Sequence, residues 1–190
     1  MNERYIEFSN DKLMELAKNN DLQAFKALVE RNGKKAYLLA LKLVGDPADA
    51  QDISQEAFIR VYNSRKRYDE KKPFFSWFYT ILSNLAKNHL KKGKVRLRYR
   101  RRTRDEREAV GADFAVSPEY ILESNRIKER VWKAIEKLPF EQKEIIVLRH
   151  FEDLSYEKIA ESIGIPLGSV MSRLYYARKK LKEILGSESE

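Results

Sequence analysis

The chain has 190 residues and a formal net charge of +9, with 38 Lys and Arg against 29 Asp and Glu. That balance asks for an anionic partner, although charge alone does not choose between nucleic acid and a membrane surface. The absence of cysteine excludes disulfides, thiolate zinc sites and cysteine nucleophiles. The N-terminus, MNERYIEFSNDK, has no signal-peptide core, and no apolar run approaches the ~20 residues that span a bilayer. A soluble cytoplasmic protein without membrane insertion is expected. Only seven Gly and five Pro interrupt a sequence rich in 3.6-residue periodicity, so the expected fold is all-α.

In chain order, Asp11 to Arg31 reads as a first helix, with Leu13, Leu16, Ala17, Phe25, Leu28 and Val29 as its core side. A second helix runs from about Lys34 to Val44, and Gly45-Asp46-Pro47 breaks the chain. The next helix, in DPADAQDISQEAFIRVYNS, places Ala50, Ile53, Ala57 and Val61 on an inner stripe. Asp49, Asp52 and Glu56, at i, i+3 and i+7, form an acidic stripe on one face. Such a stripe in a basic chain fits either a basic protein partner or a solvated face.

RKRYDEKKPFF, from Arg65 to Phe75, reads as a loop with Pro73 at a helix start. The helix after it concentrates Phe74, Phe75, Trp77, Phe78, Ile81, Leu82 and Leu85, most of them core. Its other side carries Ser76, Thr80, Asn84, Lys87, Asn88 and Lys91. Amides one turn apart beside lysines can hold a base edge while the lysines hold phosphate; exposed helical asparagines are the alternative. Gly93 to Pro118 reads as a flexible linker, densely basic in its first half.

The segment LSYEKIAESIGIPLGSVMSRLYYARKKLKEIL, Leu154 to Leu185, has the form of a helix-turn-helix. Ser155 is the expected N-cap, Glu157 lies in the first turn, and Ile159, Ala160 and Ile163 give an apolar face. Gly164 fits the left-handed C′ position, and Pro166 can open the second helix. There Val170, Leu174, Ala177, Leu181 and Leu185 fall inward. Ser169, Ser172, Arg173, Tyr176, Lys179 and Lys180 fall outward. From Ser169 to Lys182 every charged residue is basic, which phosphates explain better than a solvated helix does. Residues 1–92 hold 17 basic and 12 acidic side chains, 93–118 hold 8 and 4, and 119–190 hold 13 and 13. The C-terminal part is thus neutral but polarised.

Three stretches together resemble a known family: DPADAQDISQEAFIRVY (Asp46–Tyr62), FFSWFYTILSNLAKNHLKK (Phe74–Lys92) and LPFEQKEIIVLRHFEDLSYEKIAESIGIPLGSVMSRLYYARKKL (Leu138–Leu181). In order and spacing the chain resembles a group IV, extracytoplasmic-function (ECF) RNA polymerase sigma factor of the sigma-70 family. The resemblance implies two small helical domains, sigma-2 over 1–92 and sigma-4 over 119–190, joined by the linker 93–118. It implies core RNA polymerase, promoter DNA and an anti-sigma factor as partners. Asp49, Asp52, Gln55 and Glu56 would meet the clamp-helix coiled coil of the largest polymerase subunit. Tyr68, Trp77, Asn84, Lys87, Asn88 and Lys91 would read the −10 element, capturing a base turned out of the stack. Arg149, Ser169, Ser172, Arg173, Tyr175, Tyr176 and Lys179 would read the −35 element. Met171 and Tyr176 stand where some relatives carry arginine, so bidentate guanine contacts are lost there and no relative's −35 sequence carries over. The basic Lys94–Arg107 stretch exceeds what an RNA-mimicking linker needs and is expected against DNA.

A stand-alone helix-turn-helix regulator is the competing reading. It leaves the acidic stripe and aromatic helix unexplained, and residues 1–92 show no strand pattern for a ligand or phospho-acceptor domain. An enzyme is not expected. His89 and His150 are the only histidines, far apart, and no phosphate loop, metal cluster or nucleophile elbow is present. No cofactor or metal is expected.

Overall fold

The computed structural model describes residues 5–100 and 119–187. It is built of α-helices, and no strand occurs among the described residues. Helix α1 spans Asn10–Lys18 and α2 spans Leu22–Val44. Two sequence boundaries need correction here. The expected break near Arg31–Lys34 is absent, and α2 runs through Gly33. One helical glycine costs about 1 kcal/mol, which the buried Leu28, Ala36, Leu39, Ala40 and Leu43 of the same helix outweigh. The break falls instead at Asn19–Asp21. Asn20 takes a left-handed φ of 70°. Asp21 then caps α2 by accepting from the Gln23 and Ala24 amides at 3.0 Å each.

Helix α3, Pro47–Ser64, follows the break read at Gly45–Pro47: Asp46 accepts from the Asp49 amide at 2.9 Å and Pro47 opens the helix. Gly45 closes α2 at φ 86°. A 3-10 turn at Arg65–Arg67 leads into the loop before α4, Phe74–Arg100. That helix passes through Gly93, so the first residues assigned to the linker, up to Arg100, are helical. The rest of the expected linker lies outside the described residues.

Helix α5 spans Glu119–Glu136 and α6 spans Phe140–Ile146, and a π-helical turn follows at Val147–Phe151. Helices α7, Tyr156–Ile163, and α8, Leu167–Ser187, complete the chain. Ser155 caps α7 by accepting from the Lys158 amide at 3.3 Å, and Gly164 ends it at φ 67°. Val170, Leu174 and Ala177 of α8 are buried, as the spacing requires.

One apolar cluster runs through the molecule. Leu13, Met14, Leu28, Leu39, Leu43, Val61, Tyr79 and Leu82 fill it between α1 and α4, and Ile145, Leu148, Ile159 and Leu174 continue it into α6–α8. The second half lies against α2 and α4, with α7 packed along α4. No helix among the described residues is long and apolar enough to cross a membrane.

Candidate polymerase and promoter interfaces

The inward stripe of α3 is buried, with Ser54 and Phe58 added to the four residues read from the sequence. Burial of that side turns Asp52 and Gln55 fully outward and leaves Glu56 half-exposed. Glu56 accepts from Arg60 at 2.7 Å, one turn on. Asp49 is shared: His89 Nε2 of α4 lies 2.8 Å from its carboxylate. The same face carries Ile59, 55% exposed. Asp52, Gln55, Glu56 and Ile59 therefore form a patch at i, i+3, i+4 and i+7, acidic and amide with an apolar end. Ile59 escaped the sequence reading because an isoleucine on a helix is ordinarily assigned inward.

The −10 candidates separate into two groups. Tyr68 is 2% exposed, its ring 5.2 Å from that of Trp77, and its hydroxyl donates to the Lys72 carbonyl at 2.8 Å. Burial, then the nearby Asp11, pushes its phenol well above the usual range. Tyr68 thus lies inside the loop rather than on the reading surface. Its place follows from Asp11, whose Oδ1 accepts from the Phe74 amide at 2.6 Å and so caps α4 from the far end of the chain. Trp77 is half-buried beneath it. Asn84, Asn88 and Lys91 are exposed, at i, i+4 and i+7. Lys87 sits between them but is engaged, 2.9 Å from Glu141 of α6.

On α8, Ser172, Tyr175, Tyr176 and Lys179 are exposed, while Ser169 and Arg173 are half-buried. The two tyrosine rings meet edge to face at 5.4 Å, and the Ser172 hydroxyl donates to the Ser169 carbonyl at 3.2 Å. Arg149, on the π-helical turn, donates to the Leu154 carbonyl at 3.0 Å and lies over the Tyr156 ring. It braces the bend into α7. Nearby His150 is held below its usual range by burial, and then by Arg178 and Arg149. Among the described residues no group of His, Asp and Glu is placed to hold a metal ion.

Residues 28–96 match the Sigma-70 region 2 family and residues 128–181 match the Sigma-70, region 4 family. The RNA polymerase sigma-H factor of Pseudomonas aeruginosa is 34% identical over 180 residues, 93% of each chain. The chain belongs to the ECF group of the sigma-70 family. The ECF RNA polymerase sigma-E factor of Escherichia coli is 32% identical over 178 residues, 89% of this chain and 90% of that one. SigW of Bacillus subtilis is 30% identical over 190 residues, covering 95% and 98%. In fold, the sigma factor resembles CnrH, solved in complex with the cytosolic domain of CnrY, at a TM-score of 0.67 and 22% identity over 94% of this chain and 97% of that one. It also resembles RpoE of Bartonella quintana, solved with the anti-sigma factor NepR, at 0.65 and 22% over 85% and 96%.

In this sigma factor the two candidate DNA-reading surfaces are brought together. Asn84 and Lys87 of α4 and Arg173 of α8 line one small cavity of about 160 Å³, with Phe140, Glu141 and Ile165. Lys87 holds the Glu141 carboxyl below its usual range. Ser76 and Thr80, read as part of the wet side of α4, face α7 instead, and Ser83, which the sequence reading did not assign, faces α6. Ser76 and Ser162 hydroxyls lie 3.2 Å apart, Thr80 donates to the Ser162 carbonyl at 3.0 Å, and Ser83 donates to Glu144. No periodicity in α4 announces that covering, because it comes from residues 61 to 86 positions away.

Proposed function

We propose that this sigma factor docks on core RNA polymerase through the outer face of α3, with Asp49, Asp52, Gln55 and Glu56 as its polar contacts. Asn84, Lys87, Asn88 and Lys91, supported by Trp77 and the loop built around Tyr68, read the −10 element. Ser169, Ser172, Arg173, Tyr175, Tyr176 and Lys179 read the −35 element, with Arg149 bracing the bend into α7 ahead of their helix. The functional division is sigma-2 over 1–92, linker over 93–118 and sigma-4 over 119–190. The carrying observation is the outward face of α8. It ends a capped helix-turn-helix and presents only basic charge from Ser169 to Lys182, the arrangement that phosphates favour.

The chain's part in initiation is binding, with no bond made or broken. Strand separation is unfavourable, so only higher affinity for the opened state than for the duplex shifts it. Asn84 and Asn88 offer donors and acceptors to an exposed base edge, and Lys91 offers charge to the adjacent phosphate. An anti-sigma factor is the further partner, and the cytoplasm, where polymerase works, the site of action.

The test is transcription in vitro, with purified core polymerase and this chain on a promoter library, and transcript starts sequenced. A shared −10 and −35 pair upstream of the starts is expected; starts that do not depend on the chain would overturn the reading. Asn84→Ala with Asn88→Ala is expected to spare polymerase capture while reducing permanganate-reactive thymines at the start site. A normal footprint would return these asparagines to plain surface.

A further inference from the structure

The two charges at the ends of α1 have an ordinary local explanation. Asp11 lies in its first turn and Lys18 in its last, each with the sign that suits the helix dipole. Yet both side chains reach away from their own helix. Asp11 Oδ1 accepts from the Phe74 amide at 2.6 Å, across 63 positions, and from the Tyr68 hydroxyl at 3.3 Å. Lys18 Nζ donates to the Tyr68 carbonyl at 3.0 Å and to Glu70 at 2.7 Å, 50 and 52 positions away. Just past α1, Asn20, in its left-handed conformation, accepts from Arg65 Nη2 at 2.8 Å.

These ties converge on the segment that joins α3 to α4. Arg65 opens it, Tyr68 stands in its middle, and Phe74 begins α4. One short helix and the turn after it therefore hold the loop at its start, middle and end. Asp11 and Lys18 stand at i and i+7 on α1, so two turns of rigid helix set about 10 Å between their anchor points. The loop also closes on itself. The Lys72 amide donates to the Asp69 carbonyl at 3.0 Å, the Lys71 amide to Asp69 Oδ1 at 3.1 Å, and the Tyr68 hydroxyl to the Lys72 carbonyl at 2.8 Å. What stays free is the outer rim, where Lys66, Arg67, Lys71 and Lys72 are exposed. A loop already held in one shape loses little freedom on taking a nucleotide, and a fixed shape is what lets it choose among bases. The fold of α1 rests on other residues: Leu13, Met14 and Ala17 are buried, whereas Asp11 is exposed.

We infer that α1 sets selectivity for the −10 element: Asp11 and Lys18, with Asn20, are positioning residues that hold the Arg65–Pro73 loop and the first turn of α4 in the shape that takes the base turned out of the stack. They act through Arg65, Tyr68 and the Phe74 amide rather than on DNA. This rests on the −10 reading above, and its test separates the two.

The test is transcription by the holoenzyme on a promoter library randomised through the −10 element. The quantity read is the ratio of transcripts from the best and worst bases at the most selective position. Asp11→Ala is expected to lower that ratio by roughly fivefold or more, because the loop loses its anchor at α4. Polymerase capture should stay within about twofold of wild type, with the −35 preference unchanged. Asp11→Asn keeps an acceptor oxygen for the Phe74 amide and should restore the ratio to within about twofold of wild type. Lys18→Met removes both donations and leaves the buried side of α1 alone; it should lower the same ratio by roughly twofold or more. A wild-type ratio in either Asp11→Ala or Lys18→Met overturns the inference. So does a uniform loss of transcripts with the base preference intact, which a merely structural role would give, or an Asn variant as relaxed as the Ala one. A wild-type chain that selects no base anywhere in the −10 element overturns the −10 reading, and this inference with it.

Discussion

Two buried regions of this sigma factor are made of different material. Between α1 and α4 the interior is apolar: Leu13, Met14, Leu28, Leu39, Leu43 and Leu82 are all 1% exposed or less. Along the seam where α6–α7 meet α2 and α4, the buried residues include Lys143, Glu144, Ser76, Ser83 and Ser162. Apolar burial yields about 25 cal/mol per Å² and tolerates no voids. A charged seam gains little over water, because water solvates the same groups well when it opens. The first region is apolar throughout; the second adds charged and hydroxyl contacts to the apolar cluster that crosses it.

The sharpest way to break that contrast is to cut both. Leu28→Ala is expected to cost about 2–5 kcal/mol of unfolding free energy, read from denaturant unfolding followed by helical circular dichroism. Glu152→Gln is expected to cost less than Leu28→Ala on the same curve, since it keeps the side chain's volume and Lys35, one of its two partners, is half-exposed. Equal losses would mean that the seam is as structural as the core.

Next in size is the face that the seam leaves free. Asp52→Lys with Glu56→Lys should weaken capture of core polymerase by roughly 2–5 kcal/mol, the range for unpairing charges buried on binding, with helical content unchanged. Undiminished co-purification would remove α3 from the interface. Arg173 belongs to both the seam and the reading helix. Arg173→Ala should lower −35 affinity and reduce the salt slope by about one unit across all sequences, the signature of a phosphate contact. An unchanged slope and affinity would leave Arg173 with a seam role only.

The smallest expected effect is in proton linkage. Burial, more than any neighbour, lifts the Glu144 carboxyl above its usual value, with Ser83, Lys87 and Arg173 acting the other way and Glu141 adding to the rise. Buried Tyr79 is pushed up as well, by burial and then by Glu144. Closure therefore favours the protonated Glu144. Its contribution is full below the ordinary ~4.3 of a glutamate and is lost as pH rises through the raised value. Lys143, pushed down by burial, works with the opposite sign: its contribution is full above the ordinary lysine range and is lost as pH falls through its lowered value. Energy transfer across the seam should report loosening as pH rises above about 4.3 through the raised value, and Glu144→Gln should flatten that slope. A Gln variant with the same slope would exclude Glu144.

What the sequence made legible follows the same divide. The α3 stripe, the chain break at Gly45–Pro47, the Ser155 cap and the Gly164 turn are local devices, each written within a few residues, and they stand as read. The Asn20–Asp21 break was missed because the apolar period runs on across it, while Gly33 drew attention without breaking anything. Tyr68 looked like a reading residue in a loop. Its burial depends on Asp11 and Trp77, from two other elements. The seam left no local mark: Ser76 and Ser83 have a polar period, and only α6 and α7 folding back make them interior.

The seam is tested most directly by a distance. Asn63→Cys on α3 and Glu161→Cys on α7 are exposed positions in an otherwise cysteine-free chain, and each takes a spin label. Pulsed electron resonance on the free protein should give one short, narrow distance. Adding core polymerase and promoter DNA should replace it with one longer by tens of ångströms. The same short distance in the complex, with transcription intact, would contradict the account.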